Sequence, residues 1–144
     1  MNQIVTCNGC FDGIHPGHLF FLGFCKAQGD DLIVGINSDD YIIKHKRESP
    51  LYSEKQRVSS LVSLGFIKDV VVFHEETPIE FIRNSNTNIH CNGEEYGKDC
   101  VESKIISEIG AKLVLVPRIP IWSTTDLKDD SSEIVNKTMN ILLR

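Results

Sequence analysis

The run Asp31–Asn37, DLIVGIN, is apolar at almost every position. A strand with one wet face alternates apolar and polar side chains. A run with no such alternation reads as a strand covered on both faces, as in the middle of a parallel sheet. Other segments fall into place around it. Ile4–Cys7 reads as a first strand, Asp69–Phe73 (DVVVF) and Lys112–Val116 (KLVLV) as further core strands, and Asn88–Cys91 as a short one. Helical patterns lie between them. One spans His18–Gln28 and stops at Gly29, where glycine suits a C-cap. A second opens at Ser53, with Gln56 placed for a capping box, and is stopped by Gly65. Shorter helices are predicted over Ile79–Arg83 after Pro78, over Glu102–Ile109 before Gly110, and over Ser132–Leu143 at the end. Ser38–Tyr52 is polar and basic and reads as a long loop or partly helical arm. Near-regular alternation of strand and helix predicts an α/β fold, a doubly wound parallel sheet of about five strands. At 144 residues, 1–144 reads as one domain. Such a sheet binds ligands outside the carboxyl ends of its strands.

The connection after the first strand is the densest motif in the chain: Asn8-Gly9-Cys10-Phe11-Asp12-Gly13-Ile14-His15-Pro16-Gly17-His18. A helix that starts here offers unpaired N–H groups and the positive end of its dipole to an anion. His15 and His18 add two imidazoles, whose worth grows where negative charge develops on a transferring phosphate. Gly17 is expected to leave room for a nucleotide against the backbone. The competing reading is that the histidines merely cap or pack the helix start. There is no GxxxxGK[ST] and no GxGxxG, so neither a P-loop nor dinucleotide chemistry is indicated.

Charge narrows the partners. Lys and Arg number 15 against 20 Asp and Glu, a net charge of -5, which does not suit a nucleic-acid track. Positive charge gathers locally at Lys44-His45-Lys46-Arg47, a better fit to a phosphorylated small molecule, unless it is only a solvated loop. Five scattered cysteines argue against a disulfide framework, and no second pair completes a zinc site with the Cys7–Cys10 CxxC. No stretch is long and apolar enough to span a membrane, and the N-terminus lacks a signal-peptide pattern, so a cytoplasmic protein is expected.

Taken together these motifs resemble the cytidylyltransferase-like, or HxGH, nucleotidyltransferase family. Gly9-Cys10-Phe11-Asp12 followed by His15-Pro16-Gly17-His18 is similar to its GxFDxxHxGH signature. Asn37-Ser38-Asp39 resembles the NSD or STD after its second strand, and Lys46 its phosphate-binding lysine. Arg57 matches the arginine of its E-x-R helix, and Ser123-Thr124-Thr125 its terminal STT-type motif. The resemblance covers roughly residues 4 to 130. Two branches are near, the heptose 1-phosphate adenylyltransferases and the glycerol-3-phosphate cytidylyltransferases. Asn37-Ser38-Asp39 and the Pro50 region resemble the first, Arg118 the second. Two departures stand out. Asn92-Gly93-Glu94-Glu95-Tyr96 replaces a Gly-Asp motif, and Pro120-Ile121-Trp122 precedes Ser123 where relatives carry glycine.

The resemblance implies transfer of a nucleotidyl group from ATP or CTP to a phosphorylated sugar or polyol, with Mg²⁺ accompanying the triphosphate, in a homodimer. It implies that His15, His18 and Lys46 are catalytic. Gly9, Cys10, Phe11, Gly17, Asn92, Gly93, Glu94, Ser123, Thr124 and Thr125 would bind the nucleotide. Asp12, Asp39, Lys44, Arg57, Arg118 and Trp122 would serve the acceptor, with packing or a dimer contact equally open for Trp122, and no dedicated protein metal site is implied. Asp12 could instead orient the first turn. A nucleotide-binding regulatory module without turnover is the reading from another class.

Overall fold

A computed structural model describes residues 2–118. Trp122, Ser123, Thr124, Thr125 and the expected terminal helix lie outside the described residues. Five parallel strands form one sheet in the order β3-β2-β1-β4-β5. They are β1 (Ile4–Gly9), β2 (Asp31–Asn37), β3 (Asp69–Phe73), β4 (Ile89–Gly93) and β5 (Lys112–Val116). Among the described residues the helices are α1 (Pro16–Ala27), α2 (Asp39–Lys46), α3 (Glu54–Val62), α4 (Ile79–Asn84) and α5 (Ser103–Glu108), with a 3₁₀ turn at Glu94–Tyr96.

The period of two in each strand divides the core. Val5, Cys7, Leu32, Val34, Ile36 and Cys91 pack with Phe20, Leu22 and Leu61 from α1 and α3. Ile33, Val71, Phe73 and Leu113 pack on the other side with Phe81, Ile82, Ile105 and Ile106 from α4 and α5. The sheet is therefore covered on both faces, which is why DLIVGIN shows no alternation. Close packing leaves Gly35 no alternative, because a Cβ there would stand 2.7 Å from the Phe81 ring. Order reverses between β1 and β4, one strand leading outward to each edge, and the crevice at that reversal is where such sheets bind ligands.

One expectation is corrected and an open one is decided. The first helix starts at Pro16 rather than His18, because His15 is its N-cap. The basic arm is helical over Asp39–Lys46, capped by the Ser38 hydroxyl, which accepts from the Tyr41 N–H at 3.2 Å. Lys46 therefore sits in the last turn of a helix rather than in a loop. The Ser53–Gln56 capping box forms as the sequence suggests.

All five cysteines are free thiols. Cys7, Cys25 and Cys91 meet inside the core, and burial, then hydrogen bonding among the three, pushes the Cys25 thiol well above its ordinary pKa. Such thiols are inert.

Candidate active site

The carboxyl ends of β1 and β4 open into a cleft of about 870 Å³. Gly9, Cys10 and Phe11 line it from the first turn, His15, Gly17 and His18 from the start of α1. Asn92 and Gly93 line it from β4, and Arg118 from the end of β5. These residues, far apart in sequence, are brought together by the strand order.

The geometry of the turn follows from its cap. His15 Nδ1 accepts from the Gly17 N–H at 3.0 Å and the His18 N–H at 3.4 Å. In return the His15 N–H donates to His18 Nδ1 at 3.3 Å. The rings stack with centroids 3.8 Å apart. An Nδ1 that accepts carries no proton, so each neutral ring bears its hydrogen on Nε2. The capping reading and the anion-binding reading thus describe the same residues: the Nδ1 edges hold the helix start, and the Nε2–H groups lie outside that cap, with the Gly13 backbone also within hydrogen-bond reach of the His18 ring. Burial, then the neighbouring His15, lowers the His18 pKa below its ordinary value, opposed by the Gly13 backbone. A neutral imidazole is the form that can both accept in the cap and donate outward.

A Cβ at Gly17 would lie 2.8 Å from His15 Cε1 and 3.0 Å from its Nδ1, so glycine at this cleft-lining position also makes room for the His15 ring. Gly9 is tight for a similar reason, with a Cβ 3.0 Å from the Phe11 ring. Phe11 itself is buried at φ 49°, a left-handed conformation that a bulky residue rarely adopts. Its ring stands 5.3 Å from that of His18.

Several sequence-predicted residues are not brought to the cleft. Arg57 is fully buried and bonded to protein partners. Asp39 gives its carboxylate to Arg57 at 2.8 Å. Burial acts to raise the Asp39 pKa, but the hydrogen bond from Arg57, one from the Glu54 backbone and the Arg57 charge outweigh it and leave it lowered. Lys44 is exposed and paired with Glu76 at 2.8 Å, a carboxylate that His45 shares at 2.7 Å. Lys46 is exposed at the end of α2 and does not line the cleft. Asp12 accepts from the Leu51 and Tyr52 N–H groups at 2.8 and 2.9 Å, so it tethers the segment before α3 to the first turn. Glu94 accepts from the Arg118 N–H at 3.0 Å, joining the ends of β4 and β5.

The sequence reading missed Asn8, Glu95 and Tyr96, which line the cleft. Asn8 ends β1, and the rule that ligands meet the carboxyl ends of strands could have found it. Glu95 folds back over Gly93, where a Cβ would stand 2.5 Å from its carboxylate, a contact with no signature in sequence. Glu102, buried, was also missed; it accepts from Asn92 Nδ2 at 3.3 Å and orients that amide. Among the described residues no group of three or more His, Cys, Asp and Glu side chains is arranged to hold a metal ion, and no helix is long and apolar enough to cross a membrane.

A family model described as cytidylyltransferase-like matches residues 6–137. The chain is 41% identical over 109 residues to the bifunctional protein HldE of Campylobacter curvus (strain 525.92). It is 43% identical over 108 residues to the bifunctional protein HldE of Helicobacter pylori (strain P12). Each match covers 74% of this chain and 23% of the relative, so the chain spans about a quarter of the length of the curated relatives it matches. Among solved structures, the lipopolysaccharide core biosynthesis protein from Thermoplasma volcanium GSS1 superposes with a TM-score of 0.65 at 23% identity, covering 82% of this chain and 97% of that one. A pantoate-beta-alanine ligase from Francisella tularensis reaches 0.62 at 13% identity, covering 97% and 70%. At these identities the two structures speak to the fold.

Proposed function

This chain belongs to the cytidylyltransferase-like family, and on that premise we propose that it is a nucleotidyltransferase acting on a sugar- or polyol-phosphate. An oxygen of the acceptor phosphate attacks the α-phosphorus of a nucleoside triphosphate in line. The bond from that phosphorus to the bridging oxygen breaks, and pyrophosphate leaves. The attacking phosphate is already ionised, so positioning and charge stabilisation carry the rate.

One observation carries the reading: two neutral imidazoles, their Nδ1 atoms spent on the α1 cap, offer Nε2–H donors at a helix N-terminus beside the β1–β4 crevice. In this reading His15 and His18 take the phosphates, and the Gly9–Phe11 backbone borders them. Asn92, Gly93 and Glu94 flank the base or ribose, and Arg118 pairs with the acceptor phosphate. Lys46 would close from α2 over bound triphosphate, and Ser123, Thr124 and Thr125 would form a second anion site, with Trp122 near the acceptor. Mg²⁺ would enter with the triphosphate, neutralising charge on its oxygens. The Asp12 oxygens are occupied by backbone N–H groups and the Asp39 carboxylate by Arg57, so phosphate oxygens are the fitting ligands.

A heptose 1-phosphate with ATP is the pair this reading favours, supported by the likeness to bifunctional HldE proteins. Glycerol 3-phosphate with CTP is the alternative, favoured by Arg118. A single domain over 1–144, a homodimer and a cytoplasmic setting belong to the same proposal. Pyrophosphate release, measured with Mg²⁺ for ATP, CTP, GTP and UTP against heptose 1-phosphate, glycerol 3-phosphate and other phosphates, tests it. Release that requires one nucleotide and one acceptor, with the linked product seen by mass, supports the proposal. Tight nucleotide binding without release across the matrix would favour a regulatory module instead.

A further inference from the structure

We propose that Arg57 is a positioning residue, which never meets ligand and sets where the histidine turn stands relative to α2 and the segment before α3. The proposal rests on the transferase reading of the cleft.

Arg57 projects from α3 and is 0% exposed. Four of its five N–H donors are engaged, each by a different piece of chain. Nε donates to the Tyr52 carbonyl at 3.2 Å, in the segment before α3. Nη1 donates to the Cys10 carbonyl at 2.9 Å, in the turn after β1, and to the Asn37 carbonyl at 2.8 Å, at the end of β2. Nη2 donates to Asp39 Oδ1 at 2.8 Å, in the first turn of α2. A rigid planar fork can span four such acceptors; the three donors of a lysine ammonium cannot.

The bond to Cys10 bears on the site. The Cys10 carbonyl belongs to the peptide plane that leads into Phe11, the residue held at φ 49°. A strained backbone of this kind persists only where its surroundings over-determine it. Phe11 in turn places its ring against Gly9 and 5.3 Å from His18. A second path closes the circuit. Asp12, next to Phe11, holds the Leu51 and Tyr52 N–H groups, and the Tyr52 carbonyl returns to Arg57. Glu54 adds a brace by accepting the Asp39 N–H at 2.9 Å. The turn that carries His15 and His18 is thereby bolted through one guanidinium to both neighbouring elements.

The test is Arg57→Lys, with steady-state constants for nucleotide and acceptor taken well below the variant's own unfolding midpoint. The ¹⁵N imidazole spectra of the ligand-free protein are recorded alongside. Misplaced donors should lower kcat about 100-fold while both KM values stay within about threefold, and the His15 and His18 signals should move without ligand present. A KM raised about tenfold or more at unchanged kcat, with those signals unmoved, would make Arg57 a ligand contact and overturn the proposal. A folded variant with ordinary constants and ordinary signals would overturn it as well. If Arg57→Lys does not fold, Asp39→Asn, which weakens one of the four bonds, is judged by the same criteria. Should the wild type release no pyrophosphate, the transferase reading fails, and the imidazole signals of the variants still decide whether Arg57 positions the turn.

Discussion

Two basic constellations in this chain match family motifs, and they end in opposite states. At the start of α1, His15 and His18 spend one nitrogen each on the helix cap, and both residues line an open cleft. Behind the turn, Arg57 spends four donors on protein and has no exposed surface. A motif says which side chains a site needs. The hydrogen-bond ledger says which of them still have a donor for a ligand. By that measure the histidines are candidates for contact, and Arg57 is the frame that holds them.

The sharpest way to break the comparison is to remove the frame. Arg57→Met leaves the part-exposed Asp39 and three backbone carbonyls without their donor, and leaving polar groups unsatisfied in this way costs roughly 1–3 kcal/mol. Urea unfolding at neutral pH should show a loss of that size, whereas a loss below about 1 kcal/mol would mean the cluster is replaceable. His18→Ala should act in the reverse sense. Loss of one donor to a developing charge costs roughly 10²–10³ in kcat, while loss of its part in the cap costs only about 1 kcal/mol. Assay and melting of the same preparation would separate the two terms, and near-normal turnover would remove His18 from the chemistry.

A third imidazole sharpens the contrast. His90, on β4, donates from Nδ1 to Thr6 Oγ1 at 2.8 Å, because the Thr6 hydroxyl is itself donated to Thr87, whose hydroxyl goes to the Ile82 carbonyl. Its Nε2 is buried with no partner among the described residues, and burial lowers its pKa to about 4. The unfolded chain protonates this group near 6.5 and the folded one near 4. Stability from neutral His90 is therefore whole above pH 6.5 and is lost as pH falls from there through about 4, by about 3 kcal/mol at most. Unfolding midpoints at pH 7 and pH 4.5 should diverge more in the wild type than in His90→Gln. Equal slopes would show that His90 is not the acid-sensitive core group.

Smaller effects come from the periphery of the turn. Gly17→Ala puts a Cβ where the His15 ring lies, so activity should fall about tenfold as the ring is displaced; unchanged activity would mean the ring has room to move. Lys44→Ala should change least of all. Lys44 is exposed and its charge is already answered by Glu76, so KM for the nucleotide should stay near the wild-type value, in contrast to Lys46→Ala.

Legibility in the sequence followed burial. DLIVGIN, DVVVF and KLVLV read to the residue as β2, β3 and β5 because β-branched and apolar runs leave no ambiguity. DDYIIKHK was open between loop and helix because α2 buries only Ile42, and a helix with so little apolar face has no periodicity to detect. The start of α1 was set two residues late because histidine is not among the usual capping residues. The histidine turn could be read because its residues are contiguous. The role of Arg57 could not, because it depends on where the ends of β1 and β2 and the segments flanking α2 come to rest in space.

The central claim is that ligand meets the Nε2 edges of His15 and His18 and leaves Arg57 alone. Selective ¹⁵N spectra of histidine and arginine side chains, followed while ATP and CTP are titrated in with Mg²⁺, test it most directly. The His15 and His18 Nε2 signals should move in step with binding while the Arg57 Nε signal stays in place. Still histidine signals beside a moving Arg57 signal would contradict it.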